Sequence, residues 1–206
     1  MLQYQTTEPG TLELLRKLMQ ISEFKELRLV GGTSLALQIG HRSSIDLDMF
    51  GNLEVDEFEI NKILNNIGTT TLLKKTQNIG IYLINGIKVD LVNYPYPWLE
   101  KIIFEDNLRL AGIKDISAMK LAEITGIGTK KDFIDLNFIL QFYNLEEMLG
   151  FYKLKYNDAS EMLVLKSLTY FADADSEENP RMLMLMNWEK VKDSITTCIQ
   201  KYLKNL

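Results

Sequence analysis

Residues 95–98, Pro-Tyr-Pro-Trp, divide a chain whose apolar residues recur largely at alternate positions before them and at helical spacing after them. The break calls for a sheet-containing half followed by a helical half. On the N-terminal side, Leu12, Leu15, Leu18 and Met19 after Thr11 predict a helix over about 11–22. LRLVGG (27–32) reads as a strand ending in a tight glycine turn, and SLALQIG (34–40) as a helix. IDLDMF (45–50) alternates, setting Ile45, Leu47 and Met49 on one side and Asp46, Asp48 and Phe50 on the other. A helix over 55–68 with a glycine stop at Gly68 precedes three strands at 69–76, 80–84 and 87–94. Asn85-Gly86 joins the last two as a type I′ hairpin. Beyond the break the pattern predicts helices at 115–125, 130–143, around 145–154, 159–172 and 187–203, with an acidic loop at 173–180. The expected class is α+β, a mixed sheet in residues 1–97 followed by a helical domain in 98–206.

Composition narrows the chemistry. One cysteine, Cys198, precludes an internal disulfide, and a single histidine, His41, leaves too few soft ligands for a protein-held zinc. The formal charge of −5 argues against a surface coated in basic residues for broad DNA binding. MLQYQTTEPG has no basic leader, and no apolar run approaches the roughly 18 residues that span a bilayer. The expectation is a cytoplasmic protein with no membrane partner.

The most informative residues are Gly31-Gly32-Thr33-Ser34 and, with twelve residues between Thr33 and Asp46, the triplet Asp46-Leu47-Asp48. Two carboxylates at i and i+2 of a strand share a face and repel unless a cation lies between them. A hard divalent ion, Mg²⁺ or Mn²⁺, takes such oxygen ligands and is commonly shared with the phosphates of an NTP. The glycine turn frees backbone N–H groups for a triphosphate beside a helix N-terminus, with Thr33 or Ser34 bonding a phosphate oxygen. Asp90 lies in a later strand whose apolar residues Ile87, Val89 and Leu91 face the other way, which suits a third metal ligand or a general base.

GGTSLALQIGHRSSIDLDMF resembles motif I of the polymerase-β-like nucleotidyltransferase superfamily. Its Gly-His-Arg-x-Ser-x-Asp-x-Asp-x-Phe form, with DISAMKLAEITGIGTKKDFIDLNFIL (115–140), resembles the AbiEii/AbiGii toxin family of nucleotidyltransferases. The resemblance implies a polymerase-β-like core and metal-dependent transfer of a nucleotidyl group from an NTP, in toxin members onto RNA such as tRNA acceptor ends, and a cognate antitoxin. It assigns Asp46 and Asp48 to the metal-binding pair, Gly32 and Thr33 to the family's Gly-Ser, and Asp90 to the third acid. Lys120, five residues after Asp115, matches the lysine that touches the nucleotide's phosphates, with Arg42 as a further complement to their charge. Asp132 and Asp135 match the fourth motif; they share one helical face, and either can be the functional acid, with Asp132 the first choice.

Plainer roles stand beside these. His41 and Arg42 can cap a helix end instead of touching nucleotide. Lys131 can meet an RNA backbone or face solvent, and Lys130 is expected to be solvated. Met182, Met184 and Met186 are expected to fill core, Tyr94, Tyr96 and Trp98 to pack an interdomain turn, and Cys198 to be inert. Two other functions fit the same chain. One is a catalytically idle relative that binds nucleotide or a protein; the other is an adenylyltransferase acting on a small molecule.

Overall fold

The computed structural model describes residues 1–205, which form two compact units. Met1–Pro95 with Ile102–Ala111 make the first, and Tyr96–Lys101 with the residues from Gly112 onward make the second. In the first unit α1 (Pro9–Gln20) starts two residues before the expected helix, because proline at a first helical position loses no hydrogen bond. β1 is only Arg28–Leu29, and α2 (Gly31–Ile39) begins on the first glycine. The glycine pair is thus the first turn of the helix itself and not a loop ahead of it. β2 (Leu47–Gly51) excludes Ile45, which is 54% exposed, so the expected apolar side begins at Leu47.

Asp56 caps α3 (Glu57–Ile67) by accepting from the Glu59 N–H at 2.9 Å. Gly68 follows with an extended φ of 175°, so it is no left-handed stop. A Cβ there would lie 2.5 Å from the Asn85 side-chain nitrogen, and close approach is what requires glycine. β3 (Thr70–Lys75), β4 (Ile79–Ile84) and β5 (Ile87–Asn93) match the three expected strands, and φ values of 50° at Asn85 and 83° at Gly86 fit the I′ turn. Two further strands, β6 (Ile103–Glu105) and β7 (Leu108–Leu110), return to the sheet after the Pro-Tyr-Pro-Trp segment. The first unit is therefore discontinuous in sequence, where a single cut near residue 97 was expected.

The sheet runs β3-β4-β5-β2-β1-β7-β6. Pairs β2/β5 and β1/β7 are parallel and the other neighbours antiparallel, the mixed sheet the alternation predicts. Leu47, Met49, Val89 and Leu91 join Leu15 and Leu18 of α1 and Ile60 and Leu64 of α3 in one buried core. Each fully buried aliphatic side chain contributes about 1.5–3 kcal/mol. Their strand neighbours Asp48 and Asp90 consequently project from the opposite face. Arg109 of β7 ties the short strands down, donating to the carbonyls of Leu27 (2.8 Å), Met19 (2.8 Å) and Phe24 (3.0 Å).

The second unit is helical: α4 (Ile113–Ile127), α5 (Lys130–Ile139), α6 (Leu145–Lys155), α7 (Glu161–Ser167), α8 (Ala172–Asp175) and α9 (Trp188–Lys204). α4 is buried continuously from Asp115 to Leu121, as befits a helix packed by α5, α6 and α7. α9 buries only the stripe Val191, Ile195 and Ile199. The helix expected at 159–172 is shortened to α7, and α8 falls where the acidic loop at 173–180 was expected. Leu183, Met184 and Leu185 are exposed, so the 182–186 segment does not fill core. Lys130 is not solvated: it is buried, donates to the Glu177 carbonyl and lies 5.4 Å from the Trp188 ring centre. Among the described residues no helix is long and apolar enough to cross a membrane.

Candidate active site

In the first unit the loop between α2 and β2 is pinned to the helix start. Thr33 is buried; its hydroxyl donates to the Asp46 carbonyl and lies 2.8 Å from the Ser44 hydroxyl. Ser34, also buried, accepts from the Gln38 amide at 3.1 Å. Both hydroxyls thus hold the loop and helix together. The glycines are required by space. A Cβ on Gly31, whose φ is +63°, would stand 2.4 Å from Asp48 Oδ2, and one on Gly32 would stand 2.2 Å from Arg42 Nη2. The Asp48 carboxylate therefore lies directly against the opening turn of α2, whose unpaired N–H groups favour negative charge. Arg42 is buried behind Gly32 and donates to the Ser43 carbonyl at 3.0 Å; His41 is fully buried beside it.

The parallel register sets Asp48 directly opposite Asp90, and Asp46, half-buried, lies two residues before Asp48. Asp90 Oδ2 accepts from Lys88 Nζ at 3.0 Å, while its buried Oδ1 has no hydrogen-bond partner among the described residues. A buried carboxylate oxygen with no hydrogen bond to satisfy it is able to serve as a cation ligand. Among the described residues no three His, Cys, Asp or Glu side chains are grouped closely enough to cage a metal by themselves. Magnesium does not demand a cage, being held by one or two carboxylates with water and substrate phosphates completing the shell. The carboxylate oxygens of Asp48 and Asp90, opposite each other in register, are donors of the kind that ion takes.

The family-matched residues of the second unit form a separate cluster. Lys120 Nζ lies 2.6 Å from Glu123 Oε2, 2.8 Å from Asp132 Oδ1 and 3.3 Å from Asp135 Oδ2. Burial alone would depress the Lys120 pKa, but the charges of Glu123, Asp132 and Asp135 drive it well above the ordinary lysine value. Asp132 is also the N3 partner of a capping box: the Thr129 N–H and hydroxyl donate to its Oδ2 at 3.0 and 2.5 Å. Burial raises its pKa, yet Lys120 and Thr129 together hold it below the usual aspartate range. Glu123 shifts upward, through desolvation where it meets Lys120 and through the Asp132 charge, although its side chain is 42% exposed overall. Glu123 carries no signal in the sequence reading; its spacing of i+3 from Lys120 on α4 is the one available clue.

The lowered Asp132 pKa fixes a sign. Its stabilising contribution is full above the unfolded value of about 3.9 and disappears as pH falls through the lower folded value. Asp132→Asn is expected to cost about 1–3 kcal/mol at pH 7, with the difference from the parent narrowing as pH falls below the unfolded value of about 3.9. Urea midpoints at the two pH values check it.

Asp115 takes a structural place. It is fully buried and accepts from the N–H groups of Leu99 (2.9 Å) and Glu100 (3.0 Å) and from Lys155 Nζ (2.6 Å). Tyr96, though exposed, packs edge-on to Tyr156, and Trp98 lies under Lys155, both contacts falling within the second unit.

With the geometry in hand, comparison with known proteins is specific. Residues 13–197 match the family model described as Nucleotidyl transferase AbiEii toxin, Type IV TA system. The uncharacterized protein aq_aa25 of Aquifex aeolicus (strain VF5) is 33% identical over 199 residues, covering 94% of this chain and 96% of that protein. JHP933 from Helicobacter pylori has a similar fold, with a TM-score of 0.61 at 17% identity over 97% of this chain and 94% of that one. MenT4, a nucleotidyltransferase toxin of Mycobacterium tuberculosis H37Rv, gives 0.60 at 17% identity over 93% and 82% respectively.

Proposed function

The chain belongs to the AbiEii family of nucleotidyltransferase toxins, and from that premise we propose that it transfers a nucleotidyl group from an NTP to an RNA hydroxyl, with tRNA as the substrate class. The observation that carries the reading is the Asp48 carboxylate set against the glycine start of α2 with Asp90 opposite it in register. This arrangement supports binding a polyphosphate and its counter-ion at one place.

Asp46, Asp48 and Asp90 would hold Mg²⁺ or Mn²⁺, which supplies neutralisation of the triphosphate charge. The backbone of Gly31 and Gly32 binds phosphate oxygens through the free N–H groups of the first helical turn, at the positive end of the α2 dipole. Thr33 and Ser34 keep that turn and the Asp46 loop in register, and Arg42 adds positive charge behind Gly32. The acceptor oxygen attacks the α-phosphorus; the bond to pyrophosphate breaks, and the hydroxyl proton leaves the acceptor. Within the second unit Lys120, the residue that matches the family's lysine, is held by Glu123, Asp132 and Asp135. The protein works in the cytoplasm and is opposed by a cognate antitoxin.

The test is incubation of the purified chain with each labelled NTP, Mg²⁺ and total bacterial RNA. Label in the tRNA fraction is the expected result. Label confined to small molecules would move the assignment to a small-molecule adenylyltransferase, and no label under any condition would leave an idle nucleotide-binding relative.

A further inference from the structure

The order of the strands gives the proposed reaction a direction. β1 and β5 flank β2 on opposite sides, with β4 and then β3 beyond β5. The polyphosphate position lies on the β1 side, because α2 follows β1 after the single residue Val30 and its Gly31 stands against Asp48. Attack on the α-phosphorus runs roughly in line with the leaving pyrophosphate, so the acceptor comes from the other side, over β5, β4 and β3. One row of residues crosses that side: Asp48 is opposite Asp90, Asp90 opposite Ile81, and Ile81 opposite Lys74. Residues paired in this way project from one face, so Lys74 shares the face of the two carboxylates. A bulge puts it there. Leu72 is opposite Tyr82, which belongs to the buried core, and in a regular strand Lys74 would share that core face; the register shift between Leu72 and Lys74 turns the lysine to the other one. Lys74 is exposed on the edge strand, two strand spacings or about 10 Å of backbone from Asp90, and the half-buried Ile81 and Leu83 bring no charge between them. From Thr69 to Val89 the sequence holds Lys74, Lys75 and Lys88 and no carboxylate, in a chain of formal charge −5. Lys88 is engaged by Asp90 at 3.0 Å, whereas Lys74 stands at the open edge.

We infer that Lys74 binds a backbone phosphate of the acceptor RNA, whose strand crosses β4 from the carboxylates to the edge of the sheet with its sugars over Ile81 and Leu83. The inference rests on the RNA-transfer reading given above. A lysine suits the task, since a point charge on a flexible four-carbon stem meets a phosphate without reading sequence. Lys74 stands away from the reacting phosphorus and is a binding residue, so its loss weakens capture of RNA and spares NTP binding and the chemical step.

The experiment follows transfer by the full chain from the labelled NTP it uses to total tRNA, in Mg²⁺, over a range of RNA and KCl concentrations. In Lys74→Gln the KM for RNA is expected to rise roughly fivefold or more, and the slope of log KM against log salt to fall by about 0.7–0.9, the share of one phosphate contact. Its kcat and its KM for NTP should stay within about twofold of the parent. Lys74→Arg should behave as the parent does. Lys75 is opposite Gly80 and projects from the other face, so Lys75→Gln, which removes the same charge from the same strand, should move the KM for RNA by less than about twofold. A circular-dichroism melt shows that each variant is folded; if Lys74→Gln melts early, Lys74→Met carries the same expectation. An unchanged KM for RNA in the folded Lys74 variants, an equal rise in Lys75→Gln, or a rise in the KM for NTP in place of RNA overturns the role of Lys74 and leaves the RNA-transfer reading standing. No transfer to RNA by the parent chain overturns both.

Discussion

Asp48→Asn is expected to lower nucleotidyl transfer by about 10³-fold or more, while its thermal melt stays near that of the parent. The substitution keeps the size and planarity of the side chain, so the close approach to Gly31 survives. It removes one negative charge beside the opening turn of α2 and places an amide where the proposed metal ligand stood. Asp48 is the right member to test because it has neighbours on both sides, Asp46 two residues before it and Asp90 opposite it in register. The same change at Asp90 would also release Lys88 and confuse two effects. The measurement is the single-turnover rate of label transfer with NTP saturating, which separates loss of chemistry from loss of binding. A rate within tenfold of the parent would remove Asp48 from the reacting centre and with it the proposed polyphosphate site.

What could be read from the sequence follows from how local each signal is. The position of Asp48, the alternation in β5 and the Asn85-Gly86 hairpin are properties of adjacent residues and lie where the pattern puts them, whereas Asp46 falls just before β2 instead of on the expected strand. β6 and β7 escaped because three-residue strands carry too few positions for alternation to register. Their hairpin had a signal in the turn instead: Asp106 and Asn107 adopt φ values of 51° and 63°, a conformation those two residue types tolerate. The start of α2 was misplaced because glycines ordinarily end helices, whereas here the need to admit Asp48 and Arg42 overrides propensity. Lys88 was passed over because a lysine two residues from an aspartate in a strand looks like a solvated edge. In the structure its ammonium lies 3.0 Å from Asp90 Oδ2. Lys155 is the extreme case, since nothing in its helical context shows that residues 58 and 40 positions away enclose it.

That enclosure carries the largest expected effect on stability: Lys155→Met should destabilise the second unit by about 3–5 kcal/mol. Both members of the Lys155–Asp115 pair have side chains with no exposed surface, and the ammonium also donates to the Pro97 carbonyl at 2.8 Å and lies 4.6 Å from the Trp98 ring centre. Methionine fills nearly the same volume, so the cost comes from leaving the Asp115 carboxylate buried beside two backbone N–H donors with its cation gone. The double change to Asp115→Asn and Lys155→Met should therefore cost less than the sum of the single ones, the coupling being about 1–3 kcal/mol in urea denaturation. A single-variant cost below about 1 kcal/mol would show that the pair balances its own desolvation and holds nothing. The stake extends beyond stability. Asp115 opens the motif whose lysine is Lys120, and both lie on the buried α4. In this structure the motif's acid anchors the 97–100 segment to α4, and five residues on the same helix places the lysine among its carboxylates. A chain that loses Lys155 should lose the orientation of Lys120 with it, so transfer activity should fall at temperatures where the first unit is still folded.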